Sequence, residues 1–334
     1  MTTVFIFVHN REVLRPRNPL RAVPASVPAA ALAAAGLGAA LAGCGSAVAD
    51  VPPGRTSVVA SFYPAAWLAE RVGGGDVYVR TLTRPGAEPH DLELTARQVA
   101  QVEKADLAVY VKGVQPAVDD AVGKHAKGRS LDAAGLVRTL PPPSDDESEI
   151  EEHDGDRGHA DVGYDPHVWL DPVRMATIAT ALGDRLAKAD TAHAAAYKQR
   201  AQTVAVQLTG LDRRFRDGLE NCARRDIVTA HAAFGYLAQR YGLRQVSIAG
   251  IDPSMEPSPK RLAGLTREVR AAGATTIFTE RLVSSKVADS LAREAGVRTA
   301  VLDPVEGVGP GSSDDYLTVM DRNLRTLRPA LGCS

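Results

Sequence analysis

IVTAHAAFGYLAQRYGLRQVSIA, residues 227–249, is the stretch on which the fold turns. Ile227 to Ala230 reads as a short buried strand, Ala232 to Tyr241 carries apolar residues at helical spacing, and Gln245 to Ala249 returns to a strand pattern. A strand, a helix and a second strand in this order form a βαβ unit, whose two strands run parallel. Downstream the alternation continues with a helix from Pro259 to Ala272, a strand from Thr275 to Thr279, a helix from Ser285 to Ala295 and a strand from Val297 to Leu302. Upstream, strands at Thr56 to Ser61, Val77 to Leu82 and Leu107 to Val111 alternate with helices around Pro64 to Val72 and Gln98 to Lys104. The expected class is α/β: two lobes, each a mostly parallel sheet with flanking helices.

Between the lobes Tyr197, Ala201, Val204, Leu208, Leu211, Phe215 and Leu219 recur every three or four residues. That spacing predicts a helix from about Ala192 to Leu219, roughly 40 Å long at 1.5 Å per residue. Such a helix joins the lobes as one long rigid spine, the alternative being that it packs wholly on one of them. The chain then divides into residues 1–43 as a signal peptide, 44–55 as a lipidated tether, 56–190 as the N-terminal lobe, 191–220 as the linking helix and 221–334 as the C-terminal lobe.

Composition agrees with a soluble two-lobed protein. Of 334 residues, 45% are hydrophobic and 24% charged, which excludes collagen-like, disordered and multi-span membrane chains. Lys plus Arg number 39 against 40 for Asp plus Glu, so no global field is available to hold nucleic acid. Three cysteines and no CxxC pair exclude a disulfide-dense scaffold and a zinc finger.

The first residues read as a leader. Four arginines between Arg11 and Arg21 precede an uncharged stretch from Ala22 to Ala42, an n-region followed by an h-region. The stretch ends in Leu41-Ala42-Gly43-Cys44, which resembles a bacterial lipobox and implies lipidation at Cys44 and an extracytoplasmic protein tethered to the cell membrane. In oxidising surroundings Cys222 and Cys333 could pair to close a long loop, or remain two separately buried thiols. Residues 144–161 hold nine acids, one Arg, His153 and His159, and read as a solvated loop that either solubilises the chain or weakly attracts divalent cations.

His125 and His193 occupy helix ends and read as solvated. His90 follows a strand, His167 precedes a helix, and His231 comes directly after Ile227 to Ala230, as Glu280 and Asp303 come directly after later strands. In open α/β sheets ligands gather beyond the carboxyl ends of strands. Two facing lobes could therefore bring His90, His167, His231 and Asp303 together, and three imidazoles with one carboxylate suit tetrahedral Zn2+. Glu280 is a possible alternative ligand, read first as a helix-capping or supporting carboxylate, while Asp165 and Asp171 read as a turn residue and a helix N-cap.

Four segments carry a resemblance: Gly86-Ala87-Glu88-Pro89-His90-Asp91, Asp165-Pro166-His167-Val168-Trp169-Leu170-Asp171-Pro172, His231-Ala232-Ala233-Phe234-Gly235-Tyr236-Leu237 and Leu302-Asp303-Pro304. In this order they resemble the ligand-bearing segments of the zinc/manganese substrate-binding lipoproteins of bacterial ABC importers. The resemblance implies metal held between two lobes by His90, His167, His231 and Asp303, and delivery to an ABC importer permease. Histidine at 231 is the zinc-type choice. The implied protein is a monomeric receptor that binds Zn2+ as cargo, is anchored to the membrane by lipid and binds no nucleic acid. Its rivals are a catalytic zinc hydrolase or lyase and a manganese or iron receptor of the same fold. Where the family often has Asn-Gly and a nearby acid, this chain has Lys112-Gly113-Val114-Gln115-Pro116, and no role is assigned to that segment.

Overall fold

Val58 and Ala60 face one side of their strand and Val59 the other, and all are buried, as a central parallel strand requires. The computed structural model describes residues 51–143, 162–255, 257 and 259–334. The expected signal peptide 1–43, the lipidation at Cys44, the start of the tether, and the acidic segment 144–161 with His153 and His159 lie outside the described residues.

Along the chain run β1 (Thr56–Ala60), α1 (Tyr63–Gly73), β2 (Val77–Thr81), α2 (Ala96–Lys104), β3 (Leu107–Tyr110), α3 (Pro116–His125), β4 (Ser130–Asp132), α4 (Pro172–Ala189) and α5 (Ala194–Leu219). They are followed by β5 (Asp226–Thr229), α6 (Gly235–Tyr241), β6 (Arg244–Ser247), α7 (Pro259–Ala271), β7 (Thr276–Thr279), α8 (Lys286–Ala295), β8 (Arg298–Val301) and α9 (Tyr316–Leu331). Among the described residues the strands form two four-stranded sheets, ordered β2-β1-β3-β4 and β6-β5-β7-β8, and every pairing is parallel. The two lobes thus share one topology, although no repeat is visible between their sequences. In each, the strand order reverses between the first and third strands, the point at which α/β sheets present ligand sites.

Packing ties the lobes together. The inner faces of both sheets, with α1, α4, α5 and α9, contribute to one continuous core that runs from Val58 through Leu182 and Leu208 to Ile227 and Leu331. The outer faces carry smaller cores of their own, one around Val102 and Val118, the other around Leu265, Ile277 and Leu291. The seven apolar residues that predict the long helix are all buried on α5. Near its start Arg200 donates to the carbonyls of Val72 and Gly73 at 2.8 and 2.7 Å. Near its end Arg214 Nε donates to Asp321 Oδ1 on α9 at 2.8 Å. The helix therefore bonds both lobes, and the single-lobe alternative does not hold.

Some boundaries differ from the sequence expectation for local reasons. Asp190 Oδ1 accepts from Ala192 N at 3.1 Å and imposes a separate turn at 191–193, so α5 starts at Ala194. The helix expected from Ala232 begins at Gly235, since residues 232 and 233 form a separate turn, with Ala232 N donating to the carbonyl of Gly250 at 2.9 Å. Helices α3 and α9 and strand β4 were not anticipated.

Cys222 and Cys333 are joined by a disulfide with a sequence separation of 111, which decides between the two readings left open above. It fastens the end of α5 to the end of α9, beside Arg224 N donating to Leu331 O at 3.0 Å and Ser334 N donating to Asn221 O at 3.1 Å. Replacing both cysteines with Ser should lower the unfolding free energy by about 2–5 kcal/mol, since a long loop is no longer closed in the unfolded chain. Urea denaturation followed by far-UV circular dichroism measures it, and an unchanged midpoint would contradict the expectation.

Candidate metal centre

Each prospective histidine ligand lies in a connection between a strand and a helix and is held through its backbone. In the β2–α2 connection, Glu88 accepts from His90 N at 2.9 Å (Oε2) and 3.1 Å (Oε1). Ahead of α4, Asp165 Oδ1 accepts from His167 N at 2.9 Å, while Asp171 caps the helix by accepting from Val173 N at 2.8 Å. Past β5, the carbonyl of His231 accepts from Thr229 Oγ1 at 2.7 Å and from Gln245 Nε2 at 2.9 Å. Gly235 opens the space in which Asp165 lies, for a Cβ there would come within 2.6 Å of Asp165 Oδ2.

These connections bring His90, His167, His231 and Glu306 to one buried point, with one potential ligand atom from each lying within 4.8 Å of the others. Glu306 Oε1 is 3.3 Å from His231 Nε2, 3.5 Å from His167 Nε2 and 3.7 Å from His90 Nε2. A tetrahedron with metal–ligand bonds of about 2.0–2.1 Å has edges of about 3.3–3.4 Å, and the three edges that run from Glu306 Oε1 stand close to that length. All four atoms are buried and none has a hydrogen-bond partner. Leaving so many polar atoms unmet is costly unless a cation meets them together.

The opposite ring nitrogens show which lone pairs are free. His167 Nδ1 lies 2.7 Å from Asp165 Oδ1 and His231 Nδ1 lies 2.7 Å from Glu280 Oε1. Since a carboxylate accepts, each Nδ1 carries the proton and each Nε2 presents its lone pair to the centre. Burial alone would lower the pKa of His231, but the Glu280 and Glu306 carboxylates outweigh it and hold the imidazole well above the ordinary histidine range. His167 is also raised, with Asp165 prevailing over burial. Burial would raise Glu306, yet His231, His167 and His90 keep its carboxyl well below the usual range. Protons and a metal ion thus compete for the same lone pairs.

Asp303, expected as the fourth ligand, is not one of the converging groups, and this is a correction to the sequence reading. Its Oδ1 accepts from Val305 N at 2.8 Å and its Oδ2 lies 3.2 Å from Arg281 Nε, while Asn323 holds its backbone, accepting from N at 2.9 Å and donating to O at 2.6 Å. Burial raises the pKa of Asp303. Asp303 therefore builds a turn. Trp169 Nε1 donates to the Pro304 carbonyl at 2.8 Å, and Val305 alone among the described non-glycine residues takes a positive φ, 60°. That is a strained conformation for a β-branched side chain. The turn swings Glu306 into the centre. Nothing in the residues singled out Glu306, which lies two positions past the end of the Leu302-Asp303-Pro304 segment. Glu280, the alternative ligand, stands behind His231 as its hydrogen-bond acceptor. His193, half-exposed at the start of α5, bonds Asp190 at 2.7 Å, and His125 ends α3, both away from the centre.

If Glu306 supplies a ligand and Asp303 only the turn, Glu306→Ala should weaken zinc binding by more than about 100-fold. Asp303→Asn, which can still accept from Val305 N, should fall within the range of about 10–100-fold or less that supporting residues cost. Chelator-competition titration of both variants checks this, and the reverse order of losses would restore Asp303 as the ligand. Glu280→Gln should also fall in that supporting range in the same titration.

Residues 58–330 match the family described as ZnuA, zinc-uptake complex component A, periplasmic. A protein named zinc-binding protein AdcA, from Streptococcus pyogenes, is 37% identical over 288 residues, covering 82% of this chain and 56% of its own length. The chain thus spans little more than half of that relative. The high-affinity zinc uptake system protein ZnuA of Bacillus subtilis is 32% identical over 291 residues, covering 85% of this chain and 90% of its own. A crystal structure of a Zn(II)-bound mutant variant of AdcAII from Streptococcus pneumoniae superimposes with a TM-score of 0.72 at 31% identity, over 84% of this chain and all of that one. With the profile match covering both sheets and all the converging residues, the chain belongs to the ZnuA family of zinc-uptake components.

Proposed function

We propose that the protein is an extracytoplasmic receptor that captures Zn2+ between its lobes and delivers it to the membrane permease of an ABC importer. The observation that carries this reading is the meeting of four buried, partnerless ligand atoms within 4.8 Å of one another. Three neutral imidazoles and one carboxylate replace the water around the ion, and the carboxylates of Asp165 and Glu280 strengthen two of the imidazoles as donors. In this reading residues 1–43 are a signal peptide, Cys44 carries the lipid, 44–55 is the tether, 56–190 and 221–334 are the lobes on either side of 191–220, and the receptor acts as a monomer. The acidic segment with His153 and His159 would serve as an accessory that weakly attracts divalent cations.

A catalytic zinc site keeps one position open for water, whereas here Glu306 occupies the fourth corner. The geometry therefore favours a carrier over a hydrolase. Nitrogen-rich ligation likewise favours zinc over manganese, which prefers oxygen donors.

After equilibration of the Cys44→Ser chain with equimolar zinc, manganese and iron and then desalting, one zinc per chain is expected. Retention of manganese, or of no metal, would overturn the reading. Because the imidazoles must shed protons to bind, and His231 and His167 hold theirs above the ordinary range, affinity should already decline below neutrality and fall steeply under pH ~6.5. Zinc titrations at pH 5 and pH 7.5 that give equal affinity would exclude a site made of three histidines.

A further inference from the structure

His167 and His231 each lean on a carboxylate through Nδ1, but among the described residues no carboxylate stands behind the ring of His90 in that way. The bonds that locate His90 act on its backbone. Its N–H, part of the Pro89–His90 peptide, is held by Glu88, and the oxygen of the same peptide accepts from Gln115 Nε2 at 3.0 Å. Gln115 stands immediately before α3 and is 1% exposed. It makes no side-chain cap to its own helix, which begins with Pro116 and so lacks one of the N–H groups a cap would serve. Its amide reaches away instead, donating also to Thr83 Oγ1 at 2.9 Å, and Thr83 Oγ1 in turn donates to the carbonyl of Ser61 at 3.0 Å, just past β1. The Pro89 carbonyl can only accept, so the amide nitrogen must face it.

We infer that Gln115 is the positioning residue for His90: a strut from the start of α3, braced through Thr83 against the end of β1, that fixes the peptide carrying this ligand. This rests on the proposed zinc site and deepens it. Glu88 and Gln115 clamp the two polar ends of one peptide, and with its Cα located the His90 ring needs no acceptor behind Nδ1. A loss of the strut lets the β2–α2 connection wander, and ligand placement errors of about 0.5 Å are enough to loosen a metal site.

The test uses the full chain with Gln115→Ala and Gln115→Met, the second keeping the length of the side chain without its donors. Each is also made in a His90→Ala background, and zinc affinity is read by chelator competition. Both variants should bind zinc about 10–100-fold more weakly than the parent, the cost typical of groups that orient a ligand. In the His90→Ala background the same substitutions should change affinity less than about 2-fold, because the ligand they orient is already gone. Unchanged affinity in Gln115→Met, or an equal loss in both backgrounds, would overturn the inference, the latter exposing a general loosening of the lobe. Failure of the unsubstituted chain to retain zinc would instead overturn the proposed function, and this inference with it. If Gln115→Ala does not fold, Gln115→Met decides.

Discussion

Everything in this molecule answers to the burial of four mutually facing donor atoms. Three imidazole nitrogens and one carboxylate oxygen are closed off from water and have no hydrogen-bond partner. In the absence of a cation such a cluster repels itself or captures protons, so it holds its shape only if the scaffold around it is stiffer than the cluster is strained. The continuous inner core supplies that stiffness, since α1 packs on the first sheet, α9 on the second, and α5 against both of these helices.

The donors are anchored by unlike means, and the differences follow from where each one lies. His231 and Glu280 come from the ends of β5 and β7, adjacent strands at the reversal of sheet order, so the supporting acid arrives through topology. His167 takes its acid from two residues back in its own connection, and Tyr236 from the other lobe clasps that connection by donating to the Asp165 carbonyl at 2.5 Å. Glu306 is aimed by a tight turn whose internal bonds come from Asp303 and whose outer bonds come from Asn323 and Trp169. Side chains that never touch the centre thus decide where it forms.

Much of this was legible in the residues. Alternating strand and helix patterns reveal both sheets, and the three-four spacing from Tyr197 to Leu219 reveals α5, because those signals are set by burial on one face of a regular element. The imidazoles could be picked out from solvated histidines by their place after strands or before a helix. Asp303 was misread for an instructive reason: adjacency to a strand end marks a carboxylate as near the site, but whether it faces inward depends on turn geometry that neither periodicity nor ligand chemistry encodes. Val305, with its positive φ, is the residue that breaks the local rule, and Glu306 follows it. Helix α9 carried a readable signal at Tyr316, Val319, Met320, Asn323, Leu324 and Leu327, while β4, with only three residues, offered almost none.

The shared core also bears on how the chain reaches its native state. Trp67 on α1 packs against the ring of Tyr316 on α9 with centroids 4.8 Å apart, so a helix near the beginning of the fold completes its burial only with the helix at its end. A polypeptide emerging N-terminus first would have its first sheet assembled while a broad apolar surface still waits for its cover. Contacts closed across such a span slow folding and prolong the exposure of sticky intermediates. The rigidity that serves a bound ion is therefore acquired late, and until the final helix docks, a nascent chain of this design depends on whatever shields it from its neighbours.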